Sequence, residues 1–96
     1  MLIEYPAMAV HWFYRVGGAE MRSIVKQKGL IKRTKKIRGT GAKNHIIGNP
    51  ATGRVVSVVE HKDGWLDMRN QWNVDVYGGK PGSGFIKSIK KWLDIR

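Results

Sequence analysis

Two β-branched runs on either side of a turn signal constrain this chain most, in G-T-G-A-K-N-H-I-I-G-N-P-A-T-G-R-V-V-S-V-V-E-H from Gly39 to His61. Ile46-Ile47 and Val55 to Val59 favour strands, and Asn49-Pro50-Ala51-Thr52-Gly53 supplies the residue types that reverse a chain. The pattern predicts a β-hairpin in which His45 opens the first strand and His61 closes the second. A turn centred on Ala51 sets His45 opposite Ser57. It leaves His61 about 13 Å further along, at roughly 3.3 Å per strand residue. That distance disfavours a direct base–acid pair of histidines.

Charge narrows what such a hairpin can meet. The 96 residues carry 18 Lys and Arg against 7 Asp and Glu, a formal net charge of +11. A field of this sign favours polyanions, nucleic acid before an anionic membrane. The length suits a single domain with a small core. Without cysteine there is neither a disulfide framework nor a thiolate metal site, which suits a reducing, cytoplasmic setting.

Residues 1–18 are the least legible. Their apolar residues, Ala7 to Val10 and then Trp12, Phe13 and Tyr14, are too few for a membrane span, and no secretory signal pattern is present. An extra strand or packed arm ending at Gly17-Gly18 is expected. Its aromatics are read as core rather than as a base-stacking platform. From Ala19 the period becomes helical through Met21, Ile24, Val25 and Lys28, with Gly29 placed to end a short amphipathic helix. Lys32, Arg33, Lys35, Lys36, Arg38 and Lys43 follow with no acidic residue among them. They form a solvated strand or loop that sets cations beside His45.

Beyond His61, Asp63-Gly64 predicts a turn, followed by strands over Trp65 to Met68 and Trp72 to Tyr77. In the second, Trp72, Val74 and Val76 alternate with Asn73 and Asp75, as in a strand buried on one face. Asp67 and Asp75 are read as surface ion pairs with Lys or Arg rather than as metal ligands, so no metal is expected. Gly78 to Gly82 forms a hinge, and Ser83 is the expected N-cap of a last helix with Phe85, Ile86, Ile89, Trp92 and Leu93 on its core stripe. The order predicts an α+β fold, an antiparallel sheet of three or more strands with two helices on one face.

G-A-K-N-H-I-I at Gly41 to Ile47, G-R-V-V-S-V-V-E-H at Gly53 to His61 and F-I-K-S-I-K-K-W-L-D-I at Phe85 to Ile95 resemble the HicA (YcfA-like) toxin family. Residues 19–62 and 83–96 carry the likeness, with 1–18 as an N-terminal extension and 63–82 as an insertion. The resemblance implies a double-stranded-RNA-binding-domain-like fold and an endoribonuclease toxin, an mRNA interferase of a toxin–antitoxin pair. It would act on RNA without metal or other cofactor, with His45 as the catalytic base and a HicB-like antitoxin as partner. His61 then takes a structural or RNA-contacting place. The chain departs from the family pattern at Ala42-Lys43-Asn44, where a serine usually stands, and at Val59-Glu60, where a proline does.

The same chemistry can be weighed from the residues. Attack of a 2′-hydroxyl on the adjacent phosphate needs a base that titrates near neutrality, and histidine is the natural one. Lys43, Arg54 and the Lys32 to Arg38 run would stabilise the developing charge. A second reading is a non-catalytic nucleic-acid-binding module, of the integrase arm-binding or double-stranded-RNA-binding type, which needs nothing from His45. A third is a small basic protein that docks on an acidic partner through its aromatic N-terminal arm.

Overall fold

The computed structural model describes the backbone of residues 6–96 and the side chains from residue 10 onward. Helix α1 (Pro6–Lys28) leads into strands β1 (Ile31–Ile37), β2 (Ala42–Asn49), β3 (Arg54–Glu60), β4 (Leu66–Asn70) and β5 (Asp75–Gly79), and helix α2 (Ser83–Trp92) closes the chain. The fold class is α+β, as expected. The five strands form one antiparallel meander in the order β1-β2-β3-β4-β5. Residues 63–82 supply β4 and β5, two strands more than the α-β-β-β-α order that the resemblance implies.

Strand periodicity divides the sheet into two faces. Ile47, Val56, Val58, Leu66 and Met68 point to one side, where they join Trp12, Phe13, Val16 and Met21 of α1 and Phe85 and Ile89 of α2 in one core cluster. Both helices therefore cover the same face. The other face carries Arg33 and Lys35 of β1, Asn44 and Ile46 of β2, Ser57 and Val59 of β3, and Asp67 and Arg69 of β4. No described helix covers it.

The hairpin forms where expected, with Thr52 and Gly53 N–H groups donating to the Asn49 carbonyl. Its register differs by one residue: His45 faces Val58, not Ser57. The shift turns on loop length. Asn49 pairs with Arg54, so the reversal is centred between Ala51 and Thr52.

The N-terminal segment is helical from Pro6 rather than a strand, and residues 1–5 of the expected arm lie outside the described residues. Gly17-Gly18 is a kink within α1, with Gly18 at φ 67° and ψ −162°, after which the helix resumes. The core reading holds for Trp12 and Phe13, while Tyr14 is half exposed. The expected helix from Ala19 is the second half of α1, and Gly29, at φ 64°, ends it.

Two expectations near the C-terminus need correction. Trp72 and Val74 are 58% and 54% exposed, because they sit in the β4–β5 turn rather than in a buried strand. The Asn70 side chain organises that turn by accepting the N–H groups of Trp72 and Val74. Ser83 is the first residue of α2 and not its cap. Gly82 takes the cap position without a side-chain bond to the helix. The core stripe of α2 is as read, with Phe85, Ile86, Ile89 and Leu93 buried. No described helix is long and apolar enough to cross a membrane.

Candidate nucleic-acid interface

His45 is the residue that the sequence singles out, and the fold puts it on the helix-covered face at 2% exposure. Its position in β2 has the same parity as Ile47, so the pleat turns both side chains towards α1. The Trp12 ring stacks on the imidazole with centroids 4.0 Å apart. Both ring nitrogens are engaged. Nε2 lies 2.9 Å from Glu60 Oε1, while Nδ1 lies 3.0 Å from Thr34 Oγ1 and 3.2 Å from Lys32 Nζ.

These partners dictate a tautomer. An ammonium can only donate, so Nδ1 accepts and Nε2–H donates to the carboxylate, leaving the ring neutral. Burial pushes its pKa down to about 4, with Lys32 and Lys43 adding to the effect and the Glu60 hydrogen bond opposing it. Glu60 is pulled in two directions. Burial would raise its pKa, but bonds from Arg15, His45 and Trp12 outweigh that and hold it below the ordinary glutamate value. Arg15 Nη2 lies 2.7 Å from Glu60 Oε2, and Trp12 Nε1 donates to Oε1 at 3.1 Å.

Lys32, expected among the nucleic-acid contacts, belongs to this network and not to the surface. It is 4% exposed, donates to Thr34 Oγ1 at 2.6 Å, and its ammonium lies 5.1 Å from the Trp12 ring centroid. The alternation of β1 is the reason: Lys32 shares the face of Ile47, its partner in β2. His45 and Lys32 thus lie buried beneath α1, against the Trp12 ring.

The other predicted contacts are outside. Arg33 and Lys35 lie on the open face of β1, Lys36 and Lys43 are an exposed cross-strand pair, and Arg38 occupies the β1–β2 turn. Between Glu20 and Glu60 the sequence has no acidic residue. The described acidic residues elsewhere are mostly engaged: Glu20 with Lys90, Glu60 with Arg15, Asp75 with Arg69 and Asp94 with Arg96. The β1–β2 end of the sheet is therefore cationic without internal compensation among the described residues.

Arg54 stands apart from this group, at the start of β3, with its guanidinium 5.1 Å from the Trp72 ring centroid. His61 is also separate from His45. It follows β3 on the open face, 43% exposed, and its Nε2 lies 2.6 Å from Asp67 Oδ2. Asp75 pairs with an arginine as expected, whereas the partner of Asp67 is this histidine. No group of three His, Cys, Asp or Glu among the described residues could hold a metal ion.

Sequence reasoning missed Trp12 and Glu60 as partners of His45, Arg15 as the partner of Glu60, and Trp65, Asp67 and Gly78 as close neighbours. Of the last three, only Asp67 carried a signal, as an expected surface ion-pair partner. No protein-family model matches this chain, and neither does any curated protein or solved structure.

Proposed function

We propose that this protein binds nucleic acid, RNA in the first instance, along the cationic β1–β2 end of its sheet, as a non-catalytic module. The observation that carries the reading is the segregation of charge. Arg33, Lys35, Lys36, Arg38 and Lys43 lie within one two-stranded ribbon and its turn, on a molecule of net charge +11. Phosphate neutralisation by such a group releases condensed counterions and supplies most of the affinity for a polyanion. The open face beside the ribbon is a sheet on which a single strand can lie.

The HicA-like ribonuclease reading needs the His45 ring to reach a 2′-hydroxyl. Burial of that ring, with both nitrogens bonded, favours the binding reading over it. Neither a HicB-like antitoxin nor any other protein partner is needed for the proposed activity.

The test is binding of a fluorescent single-stranded RNA over a salt series in EDTA, by the parent and by Lys35→Glu/Arg38→Glu. Affinity is expected to fall with salt, and the double variant to bind at least about tenfold more weakly, with a log–log slope shallower by about two. The RNA should be recovered intact. Unchanged binding by the variant would overturn the proposed interface. Cleavage that His45→Gln abolishes would restore the ribonuclease.

A further inference from the structure

The open face holds a second feature, away from the cationic ribbon. Between β3, β4 and β5 lies a cleft of about 680 Å³, lined among others by Val59, His61, Asp67, Arg69, Asp75 and Gly78. Gly78 pairs with Asp67 across β4 and β5. A Cβ built on Gly78 would lie 3.3 Å from Asp67 Oδ1 and 3.9 Å from Trp65 Nε1. Its φ is not in the left-handed region, so the backbone does not require glycine there. The missing side chain instead lets the Asp67 carboxylate and the Trp65 indole lean over the β5 backbone. A carboxylate oxygen of the cleft wall and an indole N–H beside the cleft, an acceptor and a donor, thus come close together above Gly78.

We infer that this cleft binds a nucleobase by its hydrogen-bonding edge, and that guanine is the base it takes best. This rests on the RNA-binding reading for its biological sense but not for its geometry. The choice of base over phosphate follows from charge: Asp67 and Asp75 face a single guanidinium, Arg69, and two carboxylates repel a phosphate. The choice of guanine follows from its edge. It alone presents two adjacent N–H donors, N1 and N2, to a carboxylate, and it sets O6 beside them for an N–H donor. Bonds to a charged acceptor are the stronger kind.

Asp67 is held for this by His61, whose Nε2 bonds one lone pair of Oδ2, so that Oδ1 and the second lone pair of Oδ2 are the acceptors for the two N–H groups. Trp65 is 44% exposed and offers an aromatic surface beside the cleft. From β1 to β4 is three strand spacings, about 14 Å. A single strand crossing the open face could therefore place phosphates by Arg33 and Lys35 and a splayed base in the cleft.

The experiment titrates ¹⁵N-labelled protein with each of the four unphosphorylated nucleosides and follows the Trp65 indole N–H and the Gly78 and Asp67 amides. Guanosine is expected to shift these signals, with an apparent affinity at least about fivefold above the other three. Asp67→Asn should remove that preference while leaving the core amides in place, and Gly78→Val should abolish the shifts. Absence of cleft shifts at millimolar guanosine, shifts confined to other surfaces, or equal response to all four nucleosides would overturn the inference. Because no phosphate is present, guanosine binding with failed RNA binding would leave this site standing and remove the cationic interface. RNA binding without guanosine binding would do the reverse.

Discussion

His45 couples the N-terminal part of α1 to the sheet through a polar chain, Lys32 to the neutral imidazole to Glu60 to Arg15, under the cover of Trp12. Its folded-state pKa, about 4, lies below the 6.5 of an unfolded chain, so between these values the unfolded protein binds the extra proton. The stability that this residue contributes is therefore complete above pH 6.5 and is lost as pH falls towards 4. The loss is on the order of 3 kcal/mol. The lowered pKa of Glu60 acts in the same direction, at the acid end of that window. Urea unfolding between pH 7.5 and 4.5 should show the decline, and His45→Gln should flatten it while lowering stability at pH 7.5. A parent stability independent of pH would contradict the buried neutral ring. The sequence could single out His45, because a histidine at a strand start is visible in a string. It could not reveal burial, since the covering Trp12 comes from a helix that the string does not place.

Among the elements, α1 departs most from expectation, and the reason is a pair of glycines that act differently. At Gly18 the backbone has φ 67°, which favours glycine, but a Cβ there would meet nothing within 4 Å. At Gly17 the conformation is ordinary, yet a Cβ would sit 2.5 Å from Met21 Cβ and 3.2 Å from Ile86 Cγ1. Gly17→Ala is expected to cost about 1–3 kcal/mol by overpacking, because Met21 Cβ is fixed to the helix backbone and cannot move aside. Thermal unfolding of this single variant checks the value, and a neutral result would mean that the kink at Gly18 can open and carry Met21 away. A glycine pair reads in sequence as a terminator, and here the chain re-enters a helix after one residue. The β4–β5 turn misleads in the opposite way. The alternation of Trp72, Val74 and Val76 imitates a half-buried strand, but Asn70 and Asn73, the latter at φ 63°, fold the first half of it into a turn. The hairpin and α2 were legible because apolar period and punctuation agree there.

For the whole molecule, the α+β class and the one-sided placement of the helices follow from order and period alone. The number of strands did not, since β4 and β5 are short and carry glycine, asparagine and aspartate with Val76 as their one β-branched residue. The meander has two ends, and β1 is one of them. No described strand pairs with its outer side. A strand edge with unpaired backbone groups is a template for a second copy, and proteins guard such edges with charge. Here Arg33, Lys35 and Lys36 lie between the strand-end residues Ile31 and Ile37, which are 57% and 38% exposed. Mutual repulsion of this ribbon would keep two copies apart, and salt would weaken it as the Debye length shrinks to about 3 Å at 1 M. Light scattering is expected to report a monomer at low ionic strength and larger species as salt rises, with Lys35→Ser bringing the onset to lower salt. Size unchanged up to 1 M would mean that shape, not charge, protects the edge. The cations proposed to grip a polyanion are then also the chain's guard against itself, so that whatever neutralises them unmasks a sticky edge.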